Sequence, residues 1–306
     1  MQTRAMGPGT GWQWLLHGVN MGRSNPKAIF GGAALLLGSV IVLAIGLALL
    51  VGGLETLIKP GLSGSMALGM LLAVPILAVV AALTVGYLRL IDAVENGRAA
   101  RAMDIFKAFN DKSAIFRAMG FVLLLAIVQN LIVVALVGTL APDFGHWYLQ
   151  NIQASMSGAA QQQLTSLPHG FGIAFAIMLV IGLFSYAVQA IGLGQIALRG
   201  RGVAGALTDG VGGTAKNLLP LIVLTLVVIV AACVFVLLAA LLVMLIGLLV
   251  KLAGVWIGIL LGIPLYIGVL LVMYVVMFGV MYSVWRDVAG GGVTEVASAS
   301  NHRVEL

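Results

Sequence analysis

The chain has 306 residues, of which 61% are hydrophobic and only 8% charged, with a mean hydropathy of +1.14. Soluble domains carry about 25% charged residues, so this composition excludes a protein clothed in water on all sides. A net charge of +6 would point to nucleic acid in a soluble protein, but in a membrane protein it marks cytoplasmic loops lying against anionic headgroups, and no nucleic-acid partner is expected.

Residues 1–28 read as a cytoplasmic N-terminal segment carrying Arg4, Arg23 and Lys27. They hold no short apolar core followed by a small-residue cleavage site, so no removable signal peptide is expected. Within them, 11–23 reads as a surface helix, with Trp12 and Trp14 as interfacial anchors.

Apolar runs then follow at 29–51, 66–88, 118–140, 171–197, 218–246 and 257–284. Each is at least as long as the roughly 20 residues that one helical crossing needs. The last two belong to the stretch 218–285, whose only charged side chain is Lys251. The expected fold class is an all-α membrane protein, with 29–288 forming six transmembrane helices as three sequential helical hairpins. Residues 289–306 read as a flexible cytoplasmic tail, its last stretch 298–306 being short and polar.

Orientation follows from the basic residues. Of the 16 lysines and arginines, only Lys59 and Lys251 fall on the side opposite the N-terminus in a six-span layout. The positive-inside bias therefore places both termini in the cytoplasm. The segment 141–170 is then external; it carries Trp147, Tyr148 and the glutamines 161–163, and reads as a surface helix or loop on the headgroups.

The cytoplasmic segments repeat. Asn25-Pro26-Lys27-Ala28-Ile29-Phe30 matches Asn110-Asp111-Lys112-Ser113-Ala114-Ile115-Phe116, with a weaker echo in Thr214-Ala215-Lys216-Asn217-Leu218. The inward-going spans end on Arg89, Arg199 and Arg286, with Asp92 and Asp287 just behind the first and last. Before each hairpin comes a short interfacial amphipathic helix: 11–23, 102–112 and a Gly-rich, looser 204–213. In 102–112, Met103, Ile105, Phe106 and Phe109 alternate with Asp104, Lys107 and Asp111. Hairpins repeated in one orientation predict pseudo-threefold character about the membrane normal and not an inverted transporter repeat.

No ionisable residue lies near the middle of a span, which argues against a proton-coupled pump. The intramembrane polarity is neutral: Gln129 and Asn130 in span three, with Tyr186 and Gln189 in span four sharing a helix face. These four form a candidate polar cluster, as interhelical hydrogen bonds or as a ligand cavity. Pro75 and Pro264 should bend their helices. Glycines such as Gly31, Gly32, Gly38, Gly182, Gly192 and Gly194 point to close helix contacts. Cys233 is the lone cysteine, and the four histidines are scattered, although His146, Asp143 and His169 share the external segment. No catalytic, metal or cofactor residue is assigned, and Arg89, Asp92, Arg286 and Asp287 read as interfacial anchors.

The segments Gly11-Trp12-Gln13-Trp14, Arg23-Ser24-Asn25-Pro26, Arg89-Leu90-Ile91-Asp92 and Tyr282-Ser283-Val284-Trp285-Arg286-Asp287 carry a resemblance. Over about 11–288 the chain resembles the multipass inner-membrane proteins of proteobacteria in the wider group similar to the membrane domain of glycerophosphodiester phosphodiesterases. That resemblance implies a helical bundle without catalytic residues, because catalysis in those enzymes belongs to a separate soluble domain. The expected function is non-enzymatic: organising or modulating the lipid bilayer, through anionic headgroups on the cytoplasmic side, or a membrane-protein partner. The alternative is a permease or channel-like protein for a small neutral or amphiphilic solute.

Overall fold

The computed structural model describes residues 3–58, 62–157 and 167–291, and all of the regular structure in them is helical. Six helices are long and apolar enough to cross a membrane, the architecture of a multipass membrane protein. They are α2 (Pro26–Ile58), α3 (Leu62–Glu95), α4 (Lys112–Leu140), α6 (Phe171–Arg199), α8 (Leu218–Ala253) and α9 (Val255–Trp285). Helix is what such sequences must adopt in hydrocarbon, where every peptide N–H and C=O needs a partner within the segment.

The helices outrun the apolar runs that predict them. The 36 residues of α8 reach about 54 Å, against a hydrocarbon core of about 30 Å, so their ends lie in the headgroup layers or beyond. The break expected around 247–256 shrinks to Gly254, whose φ of +92° makes the turn between α8 and α9.

Shorter helices connect them. α1 is Thr10–Val19, α5 is Pro142–Ser157 and α7 is Val203–Lys216, while Ala102–Asn110 winds as a 3-10 helix. α7 is a regular helix despite its glycines, contrary to the looser segment expected there, because Gly210 and Gly213 are where it lies against α6. α5 accounts for the first half of the external segment; the glutamines 161–163 lie outside the described residues, as do 292–306 of the expected tail.

α2 packs on α3, α4 on α6 and α8 on α9, and the second helices of the three pairs, α3, α6 and α9, all touch one another. α3 is the central helix: half of its apolar window is buried, against 6–22% for the other five. The core gathers at the end of the bundle that bears Thr3 and Gly291, around Ile29, Tyr87, Ile91, Phe121, Ile191 and Trp285. Toward the other end the outer helices carry exposed leucines and valines, such as Leu49, Val134 and Leu252. Apolar exposure on this scale is a lipid-facing surface. A second, small cluster joins α4, α5 and α6 there through Val137, Phe144 and Ala174.

Of the glycines expected at helix contacts, Gly31, Gly32, Gly192 and Gly194 meet Ala102, Leu90, Phe121 and Trp285 closely enough that a methyl group would clash. Gly38 and Gly182 face open space, which corrects the expectation for those two.

Candidate functional site

The end of the bundle near Thr3 and Gly291 is a charged collar. The last carbonyls of a helix lack intrahelical partners and sit at the negative end of its dipole, so they attract guanidinium groups. Arg89 of α3 donates from Nε to the carbonyl of Ala197 at the end of α6, 2.9 Å away. Arg199 of α6 donates to the carbonyl of Gly290, just beyond α9. Arg286 at the end of α9 approaches Glu95, the last residue of α3, at 4.0 Å. The three arginines thus reach from α3 to α6, from α6 to α9 and from α9 back to α3.

Arg89 also pairs with Asp111 at 2.7 Å, and Asp111 in turn caps α4 by accepting from the Ala114 N–H at 3.0 Å. The Arg89 bond, followed by the Ala114 amide, holds the Asp111 carboxyl below the usual carboxylate range. Asn25 caps α2 in the same manner, accepting from the Ala28 N–H at 3.1 Å while donating to the Ala100 carbonyl at 3.2 Å.

The connecting helices follow the same circular order. The 3-10 helix lies on α2 and α3, and a side chain at Gly86 would run into the Ile105 carbonyl. α7 lies on α4 and α6, with Gly210 against the Val188 carbonyl. α1, first in the chain, lies on the last pair: Gly11 meets the Pro220 carbonyl of α8, and Gly18 meets Val276 and Val280 of α9.

Polar bonds fix α1 there. The Arg4 N–H donates to the Val288 carbonyl at 2.9 Å and the Met6 N–H to the Asn217 side chain at 2.7 Å. The Trp14 indole N–H donates to Asp287 at 2.9 Å.

The expected anchors divide accordingly. Trp12 is half exposed, while Trp14 is buried and bonded to Asp287, so within the pair only Trp12 offers an outward ring. Arg89 does not pair with Asp92; Asp92 instead takes Arg98 and the Tyr282 hydroxyl, the latter at 3.0 Å. Arg286 does bond its neighbour Asp287, at 3.1 Å. Asp111 and Asn217, which stand in the repeated cytoplasmic segments, are collar residues, as is the chain from the buried Gln195 through Asp209 to the half-buried Arg201, whose Asp209 sequence reasoning did not single out. The terminal arginines of the three inward runs were the signal pointing to them.

The four neutral polar residues within the spans are not brought together. Among the described residues no hydrogen bond joins Gln129 or Asn130 to Tyr186 or Gln189. Asn130 donates to the Ala126 carbonyl of its own helix, in a shallow depression lined only by α4. Tyr186 donates across to the Met277 carbonyl of α9 at 2.8 Å. In the external segment, His169 and Asp143 approach at 3.3 Å but are both exposed, and no third ligand joins them among the described residues.

Tyr186 lines a larger feature, an apolar crevice of about 1200 Å³ between α6, α8 and α9. Its walls include Gly182 on α6, Phe235 on α8, and Pro264 and Gly268 on α9, with Leu15 and Val19 of α1 across its collar end. The only hydroxyls in the wall are those of Tyr186 and Thr225. Both already donate to main-chain carbonyls, Thr225 to that of Leu221.

At 100° per residue, Leu15, Val19, Trp12 and Leu16 fall on one arc of α1, and the exposed Asn20, Gln13 and His17 fall on the arc next to Leu16, across the helix from Leu15 and Val19. α1 therefore turns an apolar side to the crevice and a polar side away from it. Comparison with protein-family models, with curated proteins and with solved structures finds no match to this chain.

Proposed function

We propose that this is a non-catalytic multipass protein of a bacterial inner membrane, with the collar on the cytoplasmic side, whose role is to organise the lipid phase around it. The observation that carries this reading is how the collar uses its charges. Arg89, Arg199 and Arg286 are occupied with helix-end carbonyls and carboxylates of the chain itself, which is a structural employment of charge. The motifs at 11–14, 23–26, 89–92 and 282–287 support the inner-membrane assignment by resemblance.

The connecting helices supply the lipid contact. On the 3-10 helix Met103 and Phe109 are exposed, with Lys107 and Lys112 beside them, and on α1 Trp12 is exposed. Apolar side chains flanked by lysines are what an interfacial helix presents to acyl chains and anionic headgroups.

Spin labels at Met103→Cys and Phe109→Cys, in a Cys233→Ser background reconstituted in vesicles containing anionic lipid, test the reading. Faster relaxation by oxygen than by a water-soluble nickel complex is expected. The reverse result removes the lipid contact. Reporter fusions in the turns at 97 and 254 test orientation, with cytoplasmic signal expected at the first alone.

A further inference from the structure

We propose that the crevice between α6, α8 and α9 is a binding site for one alkyl chain of a cytoplasmic-leaflet phospholipid, entered sideways from the bilayer.

Chemistry selects the occupant. The crevice lies within helices that cross the membrane, so what surrounds it is hydrocarbon. Its two hydroxyls are committed to carbonyls of the chain, leaving no free donor to orient a polar solute. A volume of about 1200 Å³ without such groups suits a long flexible chain, which exchanges contacts with other lipid chains for packing against the crevice walls.

Position selects the leaflet. At 1.5 Å per residue the wall descends about 16 Å on α8, from Leu224 to Phe235, and about 24 Å on α9, from Val280 to Pro264, so the crevice runs from the collar end through the roughly 15 Å of that leaflet's hydrocarbon and beyond. The descent starts at α1, which closes the collar end with Leu15 and Val19. A ligand arriving from water on that side meets the polar face of α1, whereas a lipid enters between the helices. Assigning the leaflet as cytoplasmic rests on the orientation proposed above; occupancy by a chain does not.

Two wall glycines make the site testable. A β-carbon added at Gly182 or Gly268 meets nothing within 4 Å, and both glycines line the crevice, so a ring introduced there extends into it. Gly38 on α2 has equally open surroundings and lies outside the crevice.

The protein, reconstituted in nanodiscs of phosphatidylethanolamine and phosphatidylglycerol and released into mild detergent, is weighed by native mass spectrometry. Wild type and Gly38→Trp should retain a phospholipid. Gly182→Trp and Gly268→Phe should retain it about tenfold less, the equivalent of about ten lost atom–atom packing contacts. Thermal midpoints near wild type show that the variants are folded. Equal retention by all four folded proteins overturns the site, as does equal loss in Gly38→Trp. Retention as expected together with an outward-facing collar in the reporter fusions overturns the leaflet assignment alone.

Discussion

Arg89 Nε donates to the main-chain carbonyl of Ala197 across 2.9 Å, tying the end of α3 to the end of α6. The same guanidinium holds Asp111 at 2.7 Å, so one side chain joins three helices. Hydrogen bonds involving charged groups contribute about 1.5–3 kcal/mol each, reduced here because the side chain is 37% exposed. Arg89→Met should therefore lower stability by about 2 kcal/mol, measured as a lower thermal midpoint in detergent. Arg89→Lys should fall between, because a single ammonium cannot span both acceptors. Arg286→Met, which loses a 4.0 Å contact to Glu95 and a bond to its neighbour, should cost less. A midpoint for Arg89→Met equal to wild type would show that the arginines do not bind the collar together.

The Asp111 pair gives the collar an acid limit. Its folded carboxyl is held below the ordinary value, first by Arg89 and then by the Ala114 amide. A group whose folded pKa is depressed stabilises fully above its unfolded pKa, about 3.9, and that contribution is lost as pH falls through the lowered folded value. Thermal midpoints of wild type and Asp111→Asn should differ at pH 6 and converge below about pH 3.9. A difference that stays constant as pH falls on below about 3.9 would assign the effect of the substitution to packing instead.

Gly86 has no room for a side chain. A β-carbon there would lie 2.0 Å from the Ile105 carbonyl oxygen, a main-chain atom that cannot rotate aside. Gly86→Val should cost more than the about 1–3 kcal/mol typical of overpacking and yield little monodisperse protein. Gly38→Val, in open surroundings, should purify like wild type. Normal behaviour of Gly86→Val would mean that the 3-10 helix lifts from α3 without penalty.

How much of this was legible in the sequence depends on what each signal reports. Hydropathy fixed the six membrane-crossing helices because lipid imposes one rule on every residue of a run. It understated their lengths, since helix continues past the apolar segment wherever its ends find partners, as at Asp111 and Asn25. The arginines at 89, 199 and 286 stood out as a repeat, but their acceptors include the carbonyls of Ala197 and Gly290, which any sequence offers at every residue. Trp14 looked like Trp12 in a string of letters; only the approach of Asp287, 273 residues away, separates the buried ring from the exposed one. The crevice was not legible because it is made of missing volume at Gly182 and Gly268, and a glycine signals close packing and open space with the same letter.

The position of α1 leads to a last prediction. The 3-10 helix and α7 each lie on a helix pair that precedes them in the chain, whereas α1 lies on α8 and α9, which follow it. Residues 3–23 thus occupy the place a connecting segment after α9 would take, and Arg4 bonds the carbonyls of Val288 and Gly291. A permuted chain running 24–306 and then 3–23 opens only the exposed turn at Arg23 and Ser24 and leaves every contact of α1 available. It should insert, purify as a monodisperse species and melt within a few degrees of the parent, whereas deleting 3–23 exposes Val276, Val280 and Pro220 and should aggregate. The Trp14 bond gives an independent check, because Trp14→Phe should destabilise parent and permuted chain alike by about 1 kcal/mol. A permuted chain that folds but is indifferent to Trp14→Phe would show that α1 holds its place only through its covalent link to α2.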